Sequence, residues 1–265
     1  MNVAQYLSAA CSLMVSLACA QDSQQHEQAT ESPPSTVLEP VVVTGSRDPA
    51  RASYARLLEG VAVFNARHGL APNGTLLFEA LDQLATAPPL VLSLETTDKA
   101  IALKTDSLGR FVLPTTDVAG SNVGEIVSNR PSGLLKIKPL VLSTGTSGSS
   151  RRLGDLRLQC EVLWAIEKHD VSLFLRGAFG VVGGPCSSSK LSAGFAAPQK
   201  LAAVELVFGE RRATVQLAIS GLTYWPPLYD ESWPDDALVV LKSAAKLSGG
   251  TPPTEAPIGQ PEPRS

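Results

Sequence analysis

The spacing of apolar residues between positions 52 and 68 indicates a helix. Between residues 52 and 68, apolar side chains recur every three or four positions, and charged side chains fall largely on the opposite side. This pattern predicts an amphipathic helix of about four turns that ends near Gly69. Gly60 lies within it and is expected to weaken it slightly. The apolar positions of this helix are Tyr54, Leu57, Leu58, Val61 and Phe64.

From residue 71 to residue 143 the helical spacing gives way to short apolar runs that are separated by turns. Several runs alternate apolar and polar residues, and they follow one another about every 8–12 residues, which is typical of an antiparallel β-sandwich. The predicted strands of this part are residues 75–80, 89–95, 100–105, 110–114, 124–128 and 134–142.

The second half of the chain mixes both periodicities. Residues 153–168 begin with strand-like alternation and change to helical spacing, and residues 171–182 predict a second helix that ends at Gly183 and Gly184. The predicted strands here are a hairpin of residues 201–208 and 211–218 and a last strand at residues 237–242. The whole pattern predicts a mainly β, α+β fold: antiparallel β-sandwich-like units with an N-terminal amphipathic helix and a helical insertion.

The N-terminal residues carry the features of an export signal. Residues 7–20 are apolar and uncharged, and small residues at Ala18 and Ala20 match a signal-peptidase site. The predicted location is therefore periplasmic or secreted, with no transmembrane segment left after cleavage. Lipid anchoring to the outer membrane through Cys19 or Cys11 is the less favoured alternative, because serine stands three residues before each of them.

Composition divides the rest of the chain. Residues rich in Gln, Ser and Pro precede the predicted folded body, and Pro-rich residues follow it. Such segments bury too little apolar surface to offset their chain entropy. The predicted organisation is a signal peptide at 1–20, a disordered tether at 21–40, a helix plus β-sandwich-like unit at 41–143, a flexible joint at 144–152, an α+β unit with a disulfide at 153–246 and a disordered tail at 247–265.

Export changes the interpretation of the cysteines. Cleavage would leave Cys160 and Cys186, and two thiols of one domain in an oxidising compartment most often form a disulfide. The bond would close a loop of roughly 26 residues and stabilise the fold by about 3 kcal/mol. A zinc site is the less favoured alternative, because His169 is the only further ligand near the two cysteines and zinc generally takes four. No metal and no cofactor is predicted.

Charge and short motifs exclude several classes of function. A net charge of −3, with Lys and Arg scattered, argues against a nucleic-acid binder. The S-x-x-K sequences at residues 187–190 and 243–246 lack the K-T-G motif that would complete a serine-nucleophile pattern. His68 and His169 each lie near a predicted helix end, where interaction with the helix dipole or capping is the simpler role. No catalytic residue is assigned.

The strongest candidate for a site is residues 222–236, where aromatic and acidic side chains are concentrated. Aromatic faces beside carboxylates suit sugar stacking or the rim of a peptide site. Paired carboxylates also serve glycoside hydrolysis at the correct separation. The simpler alternative is that the aromatic rings seal one end of a sandwich, beneath an acidic rim. The candidate ligand-binding residues are Tyr224, Trp225, Tyr229, Trp233, Asp235 and Asp236.

Two short segments resemble known families. Residues 105–114, T-D-S-L-G-R-F-V-L-P, resemble a hairpin of carboxypeptidase-regulatory-like, prealbumin-type β-sandwich domains, which implies a non-catalytic module. In that hairpin, Asp106 and Gly109 shape the turn, and Phe111 and Leu113 face the core.

Residues 41–47, V-V-V-T-G-S-R, resemble the segment that starts the plug of TonB-dependent outer-membrane receptors. The chain is not expected to be such a receptor, because about 200 residues cannot hold a plug and a large barrel. The resemblance implies a bacterial source. Either this run is the first strand of the chain's own sheet, or it is offered to a partner by strand addition. The candidate partner-strand residues are Val41, Val42, Val43 and Thr44.

These observations favour an exported bacterial envelope protein that acts as a non-catalytic binding or interaction module. Its expected partner is an envelope protein or a glycan. The alternative is a hydrolase that acts on envelope polysaccharide through residues 222–236.

Overall fold

The computed structural model describes residues 48–83, 89–115, 123–146, 148–181 and 184–244. All of these belong to one compact unit of the chain. The predicted signal peptide, tether and C-terminal tail lie outside the described residues, and so does the candidate partner strand Val41–Thr44. For those segments the sequence-based expectations stay predictions.

The predicted mainly β fold is confirmed, and every strand pair in the described residues is antiparallel. The helices are α1 (Tyr54–Ala66), α2 (Leu153–Glu167) and α3 (Leu173–Val181), with 3-10 turns at His68–Leu70 and Lys168–Asp170. The strands are β1 (Pro49–Ser53), β2 (Gly74–Asp82), β3 (Leu92–Thr96), β4 (Ala100–Leu103), β5 (Arg110–Phe111), β6 (Gly124–Pro131), β7 (Leu135–Ser143), β8 (Ser150–Arg152), β9 (Phe195–Ala196), β10 (Leu201–Phe208), β11 (Arg211–Thr214), β12 (Gln216–Leu217), β13 (Thr223–Trp225) and β14 (Leu238–Ser243).

The first half of the body contains two sheets that share one core. One sheet has the strand order β1-β6-β3-β4, and the other has the order β5-β2-β7. Leu94 of the first sheet and Phe78 and Phe111 of the second belong to the same buried cluster, which Tyr54 of α1 completes. Alternation along each strand directs these side chains inward, so the half is sandwich-like as predicted.

The turn at residues 105–114 has the predicted local geometry, but it connects strands of two different sheets. The Asp106 carboxylate accepts hydrogen bonds from the amides of Leu108 (2.8 Å) and Arg110 (2.9 Å), and Gly109 takes the left-handed conformation that the turn requires. Phe111 and Leu113 are buried. However, β4 pairs with β3, whereas β5 pairs with β2, so the turn carries the chain between two sheets and joins no paired strands. The family resemblance of this segment stays a prediction.

The second half is also built from two sheets around one core. Their strand orders are β11-β10-β14-β8 and β12-β13-β9. The predicted flexible joint covers residues 144–152. Its last three residues form β8, which pairs with β14. The second strand of the predicted hairpin divides at Val215: β11 pairs with β10, and β12 pairs with β13 of the other sheet.

Helix α2 corrects the prediction that residues 153–168 begin as a strand. Leu156 and Cys160 pack into the core of the second half, whereas Leu158 and Val162 pack into a third cluster together with Phe64 of α1. Because two faces of α2 are buried, apolar residues stand at every second position. A helix with two buried faces therefore imitates the alternation of a strand.

The two halves meet where α1 and α2 pack together. A Cβ atom on Gly60 of α1 would lie 2.8 Å from the Ile166 side chain of α2, so the glycine permits this close approach. Gly60 weakens the helix, but a larger residue at this position would collide with α2. A buried carboxylate adds a polar link, because Asp155 of α2 accepts hydrogen bonds from the amide (2.9 Å) and the hydroxyl (2.6 Å) of Ser143 at the end of β7.

Candidate functional site

The aromatic side chains of residues 222–236 do not form one exposed surface. Tyr224 and Trp233 are buried members of the second core, and Tyr224 stacks against Phe195 with the ring centroids 5.9 Å apart. Burial raises the pKa of the Tyr224 phenol. Trp225 is half-buried, and Tyr229 is 45% exposed. Of the predicted aromatic site residues, Tyr229 alone is exposed to solvent over a large part of its ring.

Both candidate carboxylates form ion pairs with arginines from an earlier part of the chain. Asp235 accepts from Arg157 of α2 at 2.6 Å, and Asp236 pairs with Arg152 of β8. Arg157 also donates to the carbonyl oxygens of Leu228 (2.9 Å) and Asp230 (2.8 Å). The same guanidinium thus holds the loop of residues 228–235 against α2. These contacts give Asp235 a structural role in fixing the loop.

A cleft of about 300 Å³ lies beside this loop, and Tyr229, Trp233 and Asp235 form part of its lining. The other charged lining residues include Arg67 and Glu161, which form an ion pair through two hydrogen bonds of 2.9 and 3.1 Å. A ligand that used Asp235 or Glu161 would have to compete with a guanidinium that already binds it. The cleft therefore offers mainly paired charges, one exposed aromatic side chain, Tyr229, and the buried Trp233.

One face of Trp233 is also occupied. The Arg211 guanidinium carbon lies 3.7 Å from the centroid of the ring, and Arg211 donates to both the carbonyl and the hydroxyl oxygen of Ser232. This stacking fixes the ring and leaves one of its faces covered by the guanidinium. Within the described residues, no three His, Cys, Asp or Glu side chains are grouped so as to hold a metal ion.

Helix α3 presents a different kind of surface. Ser172 caps its N-terminus by accepting from the Leu175 amide at 3.4 Å. Three of its apolar side chains are almost fully exposed: Leu173 (80%), Phe174 (88%) and Val181 (89%). Leu175 is also exposed. Among the residues that the structure describes, no helix has both the length and the apolar character needed to cross a membrane.

Ion pairs hold the N-terminal side of α3. In the 3-10 turn before the helix, Lys168 and His169 each lie 2.9 Å from the Glu59 carboxylate of α1, and Asp170 pairs with Arg56 at 2.6 Å. Hydrogen bonds from Lys168 and then from His169 lower the pKa of the Glu59 carboxyl. His169 was predicted as a capping residue; in the structure its ring instead pairs with the neighbouring helix.

The C-terminal side of α3 is held by a covalent bond and a ring contact. Cys160 of α2 and Cys186 are joined as a disulfide, with their Cα atoms 5.8 Å apart. Within α3, Phe179 packs edge-on against Trp164 of α2 with the ring centroids 5.1 Å apart. Both ends of the helix are therefore attached to the body while the side chains of Leu173, Phe174 and Val181 face solvent.

No family model, no curated protein and no solved structure matches the chain. The function of α3 and of the cleft is therefore inferred from their own contacts.

The exposed side chains of α3 were not among the predicted site residues. The sequence contains a signal for them, because residues 173–181, L-F-L-R-G-A-F-G-V, are more apolar than one packed helix face requires. Only Arg176 interrupts the apolar run. A short helix without a polar face is either surrounded by protein or exposes apolar surface, and the sequence did not show which.

Proposed function

We propose that this chain is an exported bacterial envelope protein that acts as a non-catalytic interaction module and binds through α3. Export is supported by the signal-like residues 7–20 and by the Cys160–Cys186 disulfide, because disulfides persist in oxidising compartments.

The observation that carries the proposal is the exposed apolar surface of a helix whose ends are both attached. Fully burying a Leu, Phe or Val side chain is worth about 1.5–3 kcal/mol, so Leu173, Phe174 and Val181 together offer substantial binding energy. Exposed apolar surface of this kind is typical of interaction sites. Because the helix is already formed and attached, binding costs little conformational entropy.

The alternative of a polysaccharide hydrolase has weaker support. Glycoside hydrolysis needs one carboxyl group as a proton donor and another as a base or nucleophile. Asp235 and Asp236 are each bound to an arginine, and Trp233 is covered by Arg211. These contacts favour a structural role for the acidic loop.

The experiment compares two single aspartate substitutions in bacterial cells that export the chain. Phe174→Asp should reduce the fraction that sediments with the cell envelope by at least about tenfold, since it places a charge where binding would bury an apolar side chain. Ile219→Asp is the matched control, because Ile219 is a fully exposed apolar residue outside α3. It adds the same charge and should leave sedimentation unchanged.

Thermal unfolding of both purified variants should match that of the native chain, which separates loss of binding from loss of fold. Equal sedimentation of the native chain and Phe174→Asp would contradict the proposal. Equal loss in both variants would also contradict it, because the effect would then come from added charge alone.

A further inference from the structure

We infer that the free edge of β7 is a second binding surface, which accepts an extended acidic segment of a partner protein as an additional antiparallel strand. This surface goes beyond the proposed function of α3, because it uses backbone groups of a sheet instead of exposed apolar side chains. β7 stands at one end of the strand order β5-β2-β7, so within the described residues no strand of its sheet lies on its other side. Unpaired backbone groups on such an edge are a template for strand addition.

The hydrogen bonds between β2 and β7 show which backbone groups of β7 face its free side. At one end of the pair, the Gln83 amide donates to the Leu134 carbonyl at 3.1 Å. At the other end, the Thr144 amide donates to the Asn73 carbonyl at 3.4 Å. In an antiparallel pair such bonds recur at every second residue, so the even-numbered residues of β7 bond to β2. The odd-numbered residues, among them Ile137, direct their amide and carbonyl groups away from β2.

Side chains of α2 and β8 cover only the C-terminal part of this free side. The Val141 amide donates to Gln159 of α2 at 3.3 Å, and the Val141 carbonyl accepts from Arg151 of β8 at 2.8 Å. Pro139 has no amide hydrogen to donate. At Ile137, neither the amide nor the carbonyl has a hydrogen-bond partner among the residues that the structure describes. The open part of the edge is therefore centred on Ile137.

A cleft of about 380 Å³ follows this open part of the edge. Its lining includes the four consecutive residues 135–138. It therefore lies along the side of the strand, since a cleft over one face would meet alternate residues only. Leu57 of α1 and Ile166 of α2 also line it, and both pack in the same apolar cluster as Leu135 and Ile137. On an added strand, the side chain opposite Ile137 would point toward this cluster, so an apolar residue fits there.

Charges on the other face of β7 favour an acidic partner. Lys138 is in register with Glu79 of β2, and Glu79 is in register with Arg110 of β5, so the sign of the charge alternates across the sheet. A carboxylate on an added strand would continue this alternation on the free side of Lys138. Lys136 lies on the same face and is exposed. The lysines also disfavour a second copy of the chain, because antiparallel pairing of two β7 edges about Ile137 would place Lys136 opposite Lys138.

The remaining charged residues of the cleft do not compensate the two lysines. Arg51 pairs with Glu125 at 2.7 Å, and Arg56 pairs with Asp170 at 2.6 Å. Glu167 also lines the cleft, but it belongs to α2, which packs against the face of β7 opposite to the lysines. The edge is therefore suited to an extended segment in which an apolar residue stands between two acidic residues.

The test compares two synthetic peptides in titrations of the purified, oxidised chain, followed by NMR. One peptide is Thr-Glu-Val-Glu-Val-Glu-Thr, and the other has lysine in place of each glutamate. The glutamate peptide should bind at least about tenfold more tightly, because its carboxylates lie beside Lys136 and Lys138, and added salt should narrow the difference. Equal binding of the two peptides, or no binding of the glutamate peptide, would overturn the inference.

Hydrogen exchange of single amides identifies the edge as the site. At saturation with the glutamate peptide, the Ile137 amide should exchange at least about tenfold more slowly than in the free chain, because it then donates to the added strand. The Lys138 amide is the internal control, since it bonds to β2 in both states. Unchanged exchange of the Ile137 amide at saturation would show that the peptide binds elsewhere and would also overturn the inference.

Charge reversal separates the edge from other parts of the chain. Lys136→Glu with Lys138→Glu should reverse the preference, so that the lysine peptide binds more tightly. Lys190→Glu with Lys200→Glu is the matched control, because it makes the same change of net charge at exposed residues outside the cleft and should keep the native preference. A reversal in both double variants would contradict the inference. Phe174→Asp should bind the glutamate peptide like the native chain, so this surface and the proposed role of α3 stand or fall separately.

Discussion

Replacing both Cys160 and Cys186 with alanine is expected to lower the free energy of unfolding by about 3 kcal/mol, because the disulfide closes a loop of 26 residues in the unfolded chain. The loop includes α3, so the bond also holds this helix against α2. The measurement is urea denaturation at equilibrium, in which the midpoint of the double variant should fall clearly below that of the native chain.

Reduction of the native chain provides the control. Under a thiol reductant its unfolding midpoint should approach that of the double alanine variant, and the reductant should leave the variant itself unchanged. A double variant that unfolds at the same urea concentration as the oxidised native chain would show that the disulfide contributes nothing to stability.

Gly154→Ala is expected to destabilise the protein by about 3 kcal/mol, at the upper end of what overpacking costs. A Cβ atom at this position would lie 2.1 Å from the carbonyl oxygen of Leu70 and 2.8 Å from the Asp235 side chain. The Gly154 amide also donates to the Asp235 carbonyl at 2.9 Å. The first turn of α2 would have to move away from both neighbours, which disturbs the ion pair between Arg157 and Asp235 as well.

Gly177→Ala is the matched control for this substitution. Gly177 also lies in a helix, but a Cβ atom there would meet nothing within 4 Å. Alanine should therefore leave the stability unchanged or raise it by up to about 1 kcal/mol, because alanine favours helix over glycine. Urea denaturation of the two variants decides the matter: equal stabilities would mean that Gly154 is not tightly packed.

Local patterns in the sequence predicted most of the secondary structure of the first half. Alternation of apolar and polar residues marked β2, β3, β6 and β7, and helical spacing marked α1. Strand β1, with the sequence P-A-R-A-S, was missed because it has little apolar alternation and is formed through its pairing with β6. For α2 the pattern predicted a strand at its start, and this was wrong because the apolar residues of the helix pack into two different cores.

The candidate site was harder to predict because its contacts join residues that are far apart in the chain. Asp235 pairs with Arg157, 78 residues earlier, and Arg211 stacks on Trp233. No local pattern shows that an acidic side chain has such a partner. Aromatic residues beside carboxylates therefore suggested a ligand site where the structure has two buried rings and two ion pairs.

Residues 171–182 show the opposite case. Their apolar character was visible in the sequence, but whether α3 was covered depended on contacts with α1 and α2 that no local pattern shows. The Cys160–Cys186 bond and the contacts of Lys168, His169 and Asp170 hold the helix at the surface and leave its apolar side chains without a covering element among the described residues.

Hydroxyl-radical footprinting of the chain, free in solution and bound to isolated cell envelopes, tests the central claim most directly. In the free chain, Phe174 and Leu173 should be oxidised readily, as their exposure requires. In the bound chain, their oxidation should fall strongly while that of Ile219 stays the same. Unchanged oxidation of Phe174 on binding, or equal protection of Phe174 and Ile219, would contradict the claim that α3 is the binding element.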